Sequence, residues 1–352
     1  MSAGKNRNVN LDIIRSFAFI CVIYAHFYMY AAFPGSALSG WADMFRIGGW
    51  IINHACIPVF ILLSGYLCGS KKPCAKYYLG LIRILLVYFI CALLCIFYKR
   101  IYFAEAMSLR TVVSAVVNFQ VHDYVWYVQL YFGLFLMIPF LNLLYHSCAT
   151  KNIKLLLIVS FAALSVLPSF LNQFIQIYSI WWMRLFPIPL YFVGMYLHEY
   201  SKPLPLRKLI PSFFIVMLIF SVLDMLLFSG SPELLLGVAN EHYQIFVCGI
   251  FIFLIGLNIP TSKMGTVVRR IFAGISDLSY GAYLLSWISD SFIANELTRR
   301  FGFVPLSWGI VQIVCSFLFS LALAKLVDII YRPIGKFLST QLTGLYGKLT
   351  KT

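Results

Sequence analysis

The chain has 352 residues, of which 61% are hydrophobic and only 11% are charged. Soluble domains are about half apolar and about a quarter charged, so the composition excludes an ordinary soluble globule, a disordered chain and a disulfide scaffold. It indicates a protein that crosses a membrane several times. The formal net charge of +15 then reports on topology, because Lys and Arg stay on the cytoplasmic side of membrane segments.

Ten apolar runs follow one another along the chain, and a helix that crosses the bilayer takes about 20 such residues. The sixth run contains Pro187 and Pro189, which predict a broken or distorted helix. We therefore expect an all-α polytopic membrane protein with about ten transmembrane helices, forming a single domain over residues 1–352 without a soluble domain. The runs are Val9–Phe33, Ile47–Cys68, Leu79–Tyr98, Val125–Tyr145, Ile153–Leu171, Trp182–Leu197, Leu209–Phe228, Tyr243–Ile259, Phe272–Ile293 and Leu306–Ile330.

The loops between these runs predict the orientation. If the N-terminus is cytoplasmic, most basic residues outside the runs fall on inner segments, which favours cytoplasmic N- and C-termini. Nine cysteines occur, but no CxxC or Cys/His spacing typical of zinc sites is present, so no metal site is expected. The prediction is a multi-pass protein of the cell membrane, with the lipid bilayer as one partner and no nucleic acid among the others.

The first run carries ionisable groups, which are costly in hydrocarbon. Arg15 and His26 are eleven positions apart, which places them within about 20° on one helix face and about 16 Å apart along the axis. Asp12 is one turn before Arg15 and is expected to pair with it. A guanidinium near the cytosol suits phosphate, and a deeper histidine suits proton transfer. Acyl-coenzyme A has the matching shape, although Arg15 could instead snorkel to headgroups and His26 could serve helix packing.

The second run adds a histidine and a set of small residues. His54 lies at a depth similar to that of His26, as a second member of an outer-half site or as a packing residue. Pro58 predicts a kink. Ser64 and Gly65 are small enough for a backbone or a ligand to approach closely. Arg83, in the third run, would add a phosphate contact or serve only as a positively charged anchor.

Four stretches together resemble the integral-membrane acyltransferase-3 family. Two of them, the Arg-x10-His element and the Pro-apolar-Phe-x3-Ser-Gly-Tyr element, are fairly specific in combination. All four occur in family order between residue 11 and about residue 290. They are Leu11–Arg15 through His26, Pro58–Tyr66, Val125–Val128 with Tyr131 and Pro139, and Leu278–Leu285.

The resemblance implies acyl transfer from cytoplasmic acyl-coenzyme A, most often acetyl or succinyl, to a hydroxyl of an envelope glycan or a related acceptor. It implies that Arg15 and His26 are functional, with His26 as the catalytic base. We expect the donor site to include Arg15, Arg83, Ser64 and Tyr66. It also implies a bacterial inner membrane as the location. On the acceptor side we expect His54, Trp126 and Asp290. Trp126 would stack on a sugar ring or lie at the membrane interface. Asp290 would be the partner of a histidine or lie among the lipid headgroups.

Two other functions stay open, and one departure from the family bears on the second of them. The late helix of the family usually continues Tyr-Leu-x-His, whereas Ser286 stands at the matching position of this chain. A transporter or flippase of a glycan or small polar substrate is the first alternative, since intramembrane Arg, His and Asp also mark translocation pathways. The second is a non-catalytic scaffold or sensor that retains the fold.

Overall fold

The computed structural model describes residues 7–30, 40–177, 179–228 and 241–349. Residues 31–33 of the first apolar run, and Lys5 and Lys351 of the charge argument, lie outside these ranges. Helices dominate the described residues, and we number the α-helices in chain order. They are α1 Val9–Tyr30, α2 Trp41–His54, α3 Cys56–Cys68, α4 Ala75–Tyr102, α5 Leu109–Val117, α6 Trp126–Ser147, α7 Lys151–Ser165, α8 Pro168–Leu171, α9 Pro187–Tyr200, α10 Leu206–Phe228, α11 Tyr243–Leu257, α12 Thr266–Phe301 and α13 Gly309–Leu349.

Seven helical segments of the described chain are long and apolar enough to cross a membrane, which identifies a multi-pass membrane protein. Each of the ten predicted runs coincides with helix, but the count of about ten spans is not reached on this criterion. The helix α11 has only 15 residues and α9 only 14. The helix α12 is long, but Ser286, Ser289 and Asp290 interrupt its apolar stretch. The seven segments are Val9–Tyr30, Asp43–Cys68, Ala75–Tyr102, Asp123–Ser147, Lys151–Leu171, Leu206–Leu227 and Gly309–Leu338.

The second run is divided into two helices at Ala55. Proline has no amide hydrogen, so Pro58 cannot donate to the carbonyl oxygen of His54, four residues earlier. The helical ladder is therefore interrupted at that carbonyl, and α2 ends at His54 while α3 begins at Cys56. The interruption lies three residues before the proline and covers one residue, Ala55, which keeps helical dihedral angles. It leaves His54 at the end of α2.

The sixth run is broken as its prolines predict. A 3-10 helix covers Ile180–Leu185, and α9 starts afresh at Pro187. Proline suits the first turn of a helix because the amide groups there have no intrahelical acceptor. The run therefore forms the end of a 3-10 helix and a short α-helix instead of one continuous span.

The chain divides into two compact units. The first comprises Met1–Ser70 and Leu141–Ser276, and the second comprises Lys71–Phe140 and Asp277–Thr352. Within the first unit, α3 packs against α1, α9 and α11, while α2 packs against α1 and α10. Within the second unit, α4 packs against α5 and α13.

The tightest packing in the first unit joins α3 to α9. A Cβ atom on Gly65 would overlap the carbonyl oxygen of Tyr191, and one on Gly194 would overlap the carbonyl oxygen of Leu62. The two backbones therefore touch without intervening side chains, as small residues allow between membrane helices. Gly65 thus serves a helix–helix contact, which was one of the two roles that its small size allows.

Candidate functional site

The N-terminal end of α1 is held by a short-range ion pair that the sequence did not predict. Arg7, which precedes the helix, binds both carboxylate oxygens of Asp12, with Nε–Oδ2 at 2.6 Å and Nη2–Oδ1 at 2.7 Å. The expected pairing of Asp12 with Arg15 is therefore wrong. The planar fork of a guanidinium matches both oxygens of a carboxylate, so a bidentate partner outside the helix replaces the partner one turn away.

Arg15 contacts a serine instead of Asp12. Its Nη1 donates to Oγ of Ser276 at 2.9 Å, and its side chain is half-buried. The contact with Ser276 orients the guanidinium of Arg15. A planar guanidinium matches the oxygens of a phosphate, so the residue type suits an anionic ligand.

His26 is half-buried in the C-terminal part of α1. It lies between Tyr24 and Tyr28 in the sequence. The hydroxyl of Tyr28 donates to that of Tyr24 at 3.2 Å. Gly49 of α2 lies against this pair, since a Cβ atom there would be in van der Waals contact with the Tyr28 hydroxyl at 3.5 Å. The close approach of α2 to this part of α1 brings the second histidine of the unit near the first.

His54 is that second histidine. Its ring stacks on the ring of Trp50, with the centroids 4.2 Å apart, and its Nδ1 lies 2.9 Å from the Trp50 carbonyl oxygen. His54 and His26 are close enough for their charges to interact. The structure thus brings together two of the residues assigned to the outer-half site from the sequence.

Ser64 and Tyr66, which the family resemblance assigns to the donor site, lie near the end of α3. The Ser64 hydroxyl donates to the Phe60 carbonyl oxygen at 2.9 Å. The Tyr66 ring meets His198 edge-on at 4.7 Å and Phe253 at 5.6 Å. Both side chains are half-buried, and their assignment to the donor remains a prediction.

Arg83, Trp126 and Asp290 belong to the second unit. The Arg83 guanidinium lies 5.7 Å from the centre of the Tyr331 ring and is exposed. Trp126 begins α6 and is 38% exposed, whereas Asp290 is 1% exposed in α12. Their roles toward a donor or an acceptor stay predictions.

Ser286, the residue at the place of the family's usual histidine, is fully buried in the second unit. Its hydroxyl donates to the Tyr283 carbonyl oxygen at 2.8 Å, one turn back in α12. A neutral serine hydroxyl is too weakly basic to act as a general base at neutral pH. Ser286 therefore does not replace a histidine in that role.

The sequence did not identify an ion pair between α7 and α9, in which the lysine is buried and the glutamate is exposed. Lys154, which is 7% exposed, binds both carboxylate oxygens of Glu199 at 2.8 Å. Burial alone would raise the pKa of Glu199, but the hydrogen bonds from Lys154 and Tyr200 and the Lys154 charge outweigh it and lower that pKa. No local spacing in the sequence links Lys154 to a partner 45 residues away.

A second missed network surrounds His242. Its Nδ1 donates to Oε1 of Gln244 at 3.3 Å, and its Nε2 accepts from Nε2 of Gln173 at 3.4 Å. Gln244 in turn donates to Asp224 at 2.5 Å, which gives that buried carboxyl the partner that sequence inspection could not name. Burial lowers the pKa of His242 to about 4. The one usable signal was the presence of Gln244 in an apolar run.

No group of three or more His, Cys, Asp or Glu residues that could hold a metal ion occurs in the part of the chain that the structure describes. The chemistry that these residues can provide is anion binding by Arg15 and proton transfer by a histidine. Both groups lie on α1, within the first unit.

Comparison with protein families gives one match, which spans residues 8–325 and is described as an acyltransferase domain. The match includes α1 to α12 and more than half of the residues of the chain. Comparison with the curated proteins and with the solved structures found no match.

Proposed function

The chain belongs to the acyltransferase-3 family, and on this premise we propose that it moves an acetyl or succinyl group from cytoplasmic acyl-coenzyme A to a hydroxyl of an envelope glycan. The observation that carries the proposal is the pair of Arg15 and His26 on one face of α1. Asp12 is held by Arg7 instead of Arg15. An anion-binding group and a proton acceptor thus lie about 16 Å apart along one helix.

In the proposed reaction, Arg15 binds the phosphates of coenzyme A and fixes the position of the thioester. His26 takes the proton of the acceptor hydroxyl while the hydroxyl oxygen attacks the carbonyl carbon of the thioester. The carbon–sulfur bond breaks, and the coenzyme A thiolate receives the proton from His26. General-base catalysis of this kind contributes about 10²–10⁴-fold to the rate.

The other assigned residues complete the proposal. Arg83, Ser64 and Tyr66 belong to the donor site, while Trp126 and Asp290 contact the acceptor. The protein would act in the cytoplasmic membrane with both termini inside, so that the donor comes from the cytosol. Coenzyme A supplies the activated acyl group, and this proposal uses no metal ion.

The first experiment measures equilibrium binding of acetyl-coenzyme A to the detergent-purified full chain. Arg15→Ala should raise the Kd about 10- to 100-fold, because hydrogen bonds to charged groups are worth roughly 1.5–3 kcal/mol. Arg110→Ala, which removes an exposed arginine of α5, is the matched control and should leave the Kd unchanged.

Equal affinity of the wild type and Arg15→Ala would contradict the role of Arg15. Failure of the folded wild type to bind acetyl-, succinyl- and longer acyl-coenzyme A would contradict acyl transfer itself. That result would favour the transporter or flippase, which needs no coenzyme A.

A further inference from the structure

The hydrogen bond of His54 fixes the position of its proton. A carbonyl oxygen can only accept a hydrogen bond, so the contact between Nδ1 and the Trp50 oxygen at 2.9 Å requires the hydrogen to be on Nδ1. In the neutral ring, Nε2 then carries the lone pair. The stacking on Trp50 at 4.2 Å holds the ring plane. His54 therefore presents a lone pair in a defined direction.

That lone pair is available to a ligand. Nε2 of His54 makes no hydrogen bond to the residues that the structure describes, and the side chain is half-buried, so it is not sealed inside the protein. A ring nitrogen that keeps its lone pair can accept a hydrogen bond from a bound molecule. His54 also lies within electrostatic range of His26, which the proposed function makes the base.

The two histidines cannot perform the same task. When His26 takes up a proton, its positive charge disfavours a second positive charge on His54. His54 therefore stays neutral during the reaction and acts as a hydrogen-bond acceptor. The reacting hydroxyl has only one proton, which His26 receives, so the donor to His54 must be a different group of the acceptor.

We propose that His54 is an acceptor-binding residue whose Nε2 takes a hydrogen bond from a second hydroxyl beside the one that is acylated. The inference rests on the proposed acyl transfer. It requires an acceptor with two neighbouring hydroxyl groups and disfavours a simple alcohol. The geometry also predicts which atom of the ring matters.

The test compares two substitutions with two probes. In His54→Gln the amide reaches the position of Nε2, whereas in His54→Asn it reaches only the position of Nδ1. The probes are trans-cyclohexane-1,2-diol and cyclohexanol, with acetyl-coenzyme A as the donor. The wild type should prefer the diol in kcat/KM by about fivefold, the worth of one neutral hydrogen bond.

His54→Gln should keep that preference, and His54→Asn should reduce it to about one, mainly through a higher KM for the diol. His146→Gln is the matched control, because His146 is exposed and bound to a backbone carbonyl oxygen, and it should behave as the wild type. A wild-type preference near one, or equal losses in both His54 variants, would overturn the proposal.

A second measurement needs no turnover. The ¹⁵N resonance of His54 Nε2, assigned by its loss in His54→Gln, should shift when the diol is added and stay constant when cyclohexanol is added. A constant resonance with both would overturn the role of His54. Absence of acetyl transfer to either probe, together with a diol-induced shift, would instead count against the proposed function and in favour of the binding role.

Discussion

His54 and His242 are both partly or fully buried histidines of the first unit, and their surroundings differ in one respect. Both ring nitrogens of His242 are engaged, one by Gln244 and one by Gln173. Only Nδ1 of His54 is engaged within the described residues, by the Trp50 carbonyl oxygen. A histidine with both nitrogens engaged stabilises the fold, whereas one that is oriented but half-satisfied can bind a ligand. Residue type alone does not distinguish these two roles.

The largest expected effect tests the pair of His26 and His54. His26→Ala should reduce acyl transfer by about 10²–10⁴-fold, because the acceptor hydroxyl then lacks its base. Transfer of radiolabelled acetyl groups into membrane material measures this loss. Protein abundance and the unfolding temperature should stay the same.

His146→Ala is the control for that substitution and should keep full transfer. Full activity of His26→Ala would remove His26 from the mechanism. It would also remove the argument that His54 stays neutral, because that argument depends on a charge forming on His26.

The next effect concerns His242 and depends on pH. Its pKa of about 4 in the folded protein lies below the usual value of 6.5. Between these values the unfolded chain binds a proton that the folded chain does not, so stability falls as the pH falls, by about 2 kcal/mol at pH 5. His242→Gln removes this pH-dependent contribution to stability. Thermal unfolding of both proteins at pH 7.5 and pH 5 should therefore show a smaller decrease in Tm for the variant.

A parallel decrease in Tm for the wild type and His242→Gln would show that His242 is not buried in its neutral form. Acetyl-coenzyme A binding at pH 7.5 should be the same for both proteins. That equality would separate the fold-stabilising histidine from the ligand-binding one.

The smallest effect concerns the ion pair of Lys154 and Glu199. Glu199→Gln leaves the buried ammonium of Lys154 without its counter-charge and should lower the free energy of unfolding by about 1–3 kcal/mol. Glu296→Gln is the matched control, since its partner Arg299 is exposed, and should cost less than about 1 kcal/mol. Equal losses of Tm in the two variants would contradict the distinction.

Features that depend on neighbouring residues were predictable from the sequence. The ten apolar runs coincide with helices because hydrophobic runs of that length form helices in a bilayer. The break of the sixth run and the interruption near Pro58 follow from the missing amide hydrogen of proline. Helical geometry also placed Arg15 and His26 on one face without any tertiary information.

Features that depend on which side chains meet in the folded chain were not predictable. The partner of Asp12 is Arg7, which precedes the helix, so helical spacing gave the wrong answer. Gln173, Asp224 and His242 meet from three separate segments, and no spacing rule joins them. The tautomer of His54 depends on a side chain folding back onto Trp50, which a sequence pattern does not record. The acceptor roles of Trp126 and Asp290 remain predictions from the sequence, because no contact in the structure tests them.

The one-residue interruption at Ala55 has a consequence for the position of the imidazole. The helix α2 ends at His54 and α3 begins at Cys56, while the carbonyl oxygen of His54 lacks the amide donor that Pro58 cannot supply. His54 belongs to the helix that packs on α1 and α10, whereas the helix that follows it is fixed to α9 through Gly65. Pro58→Ala would restore the missing donor and join the two segments more stiffly, so that a shift in the contact between α3 and α9 would also move the imidazole.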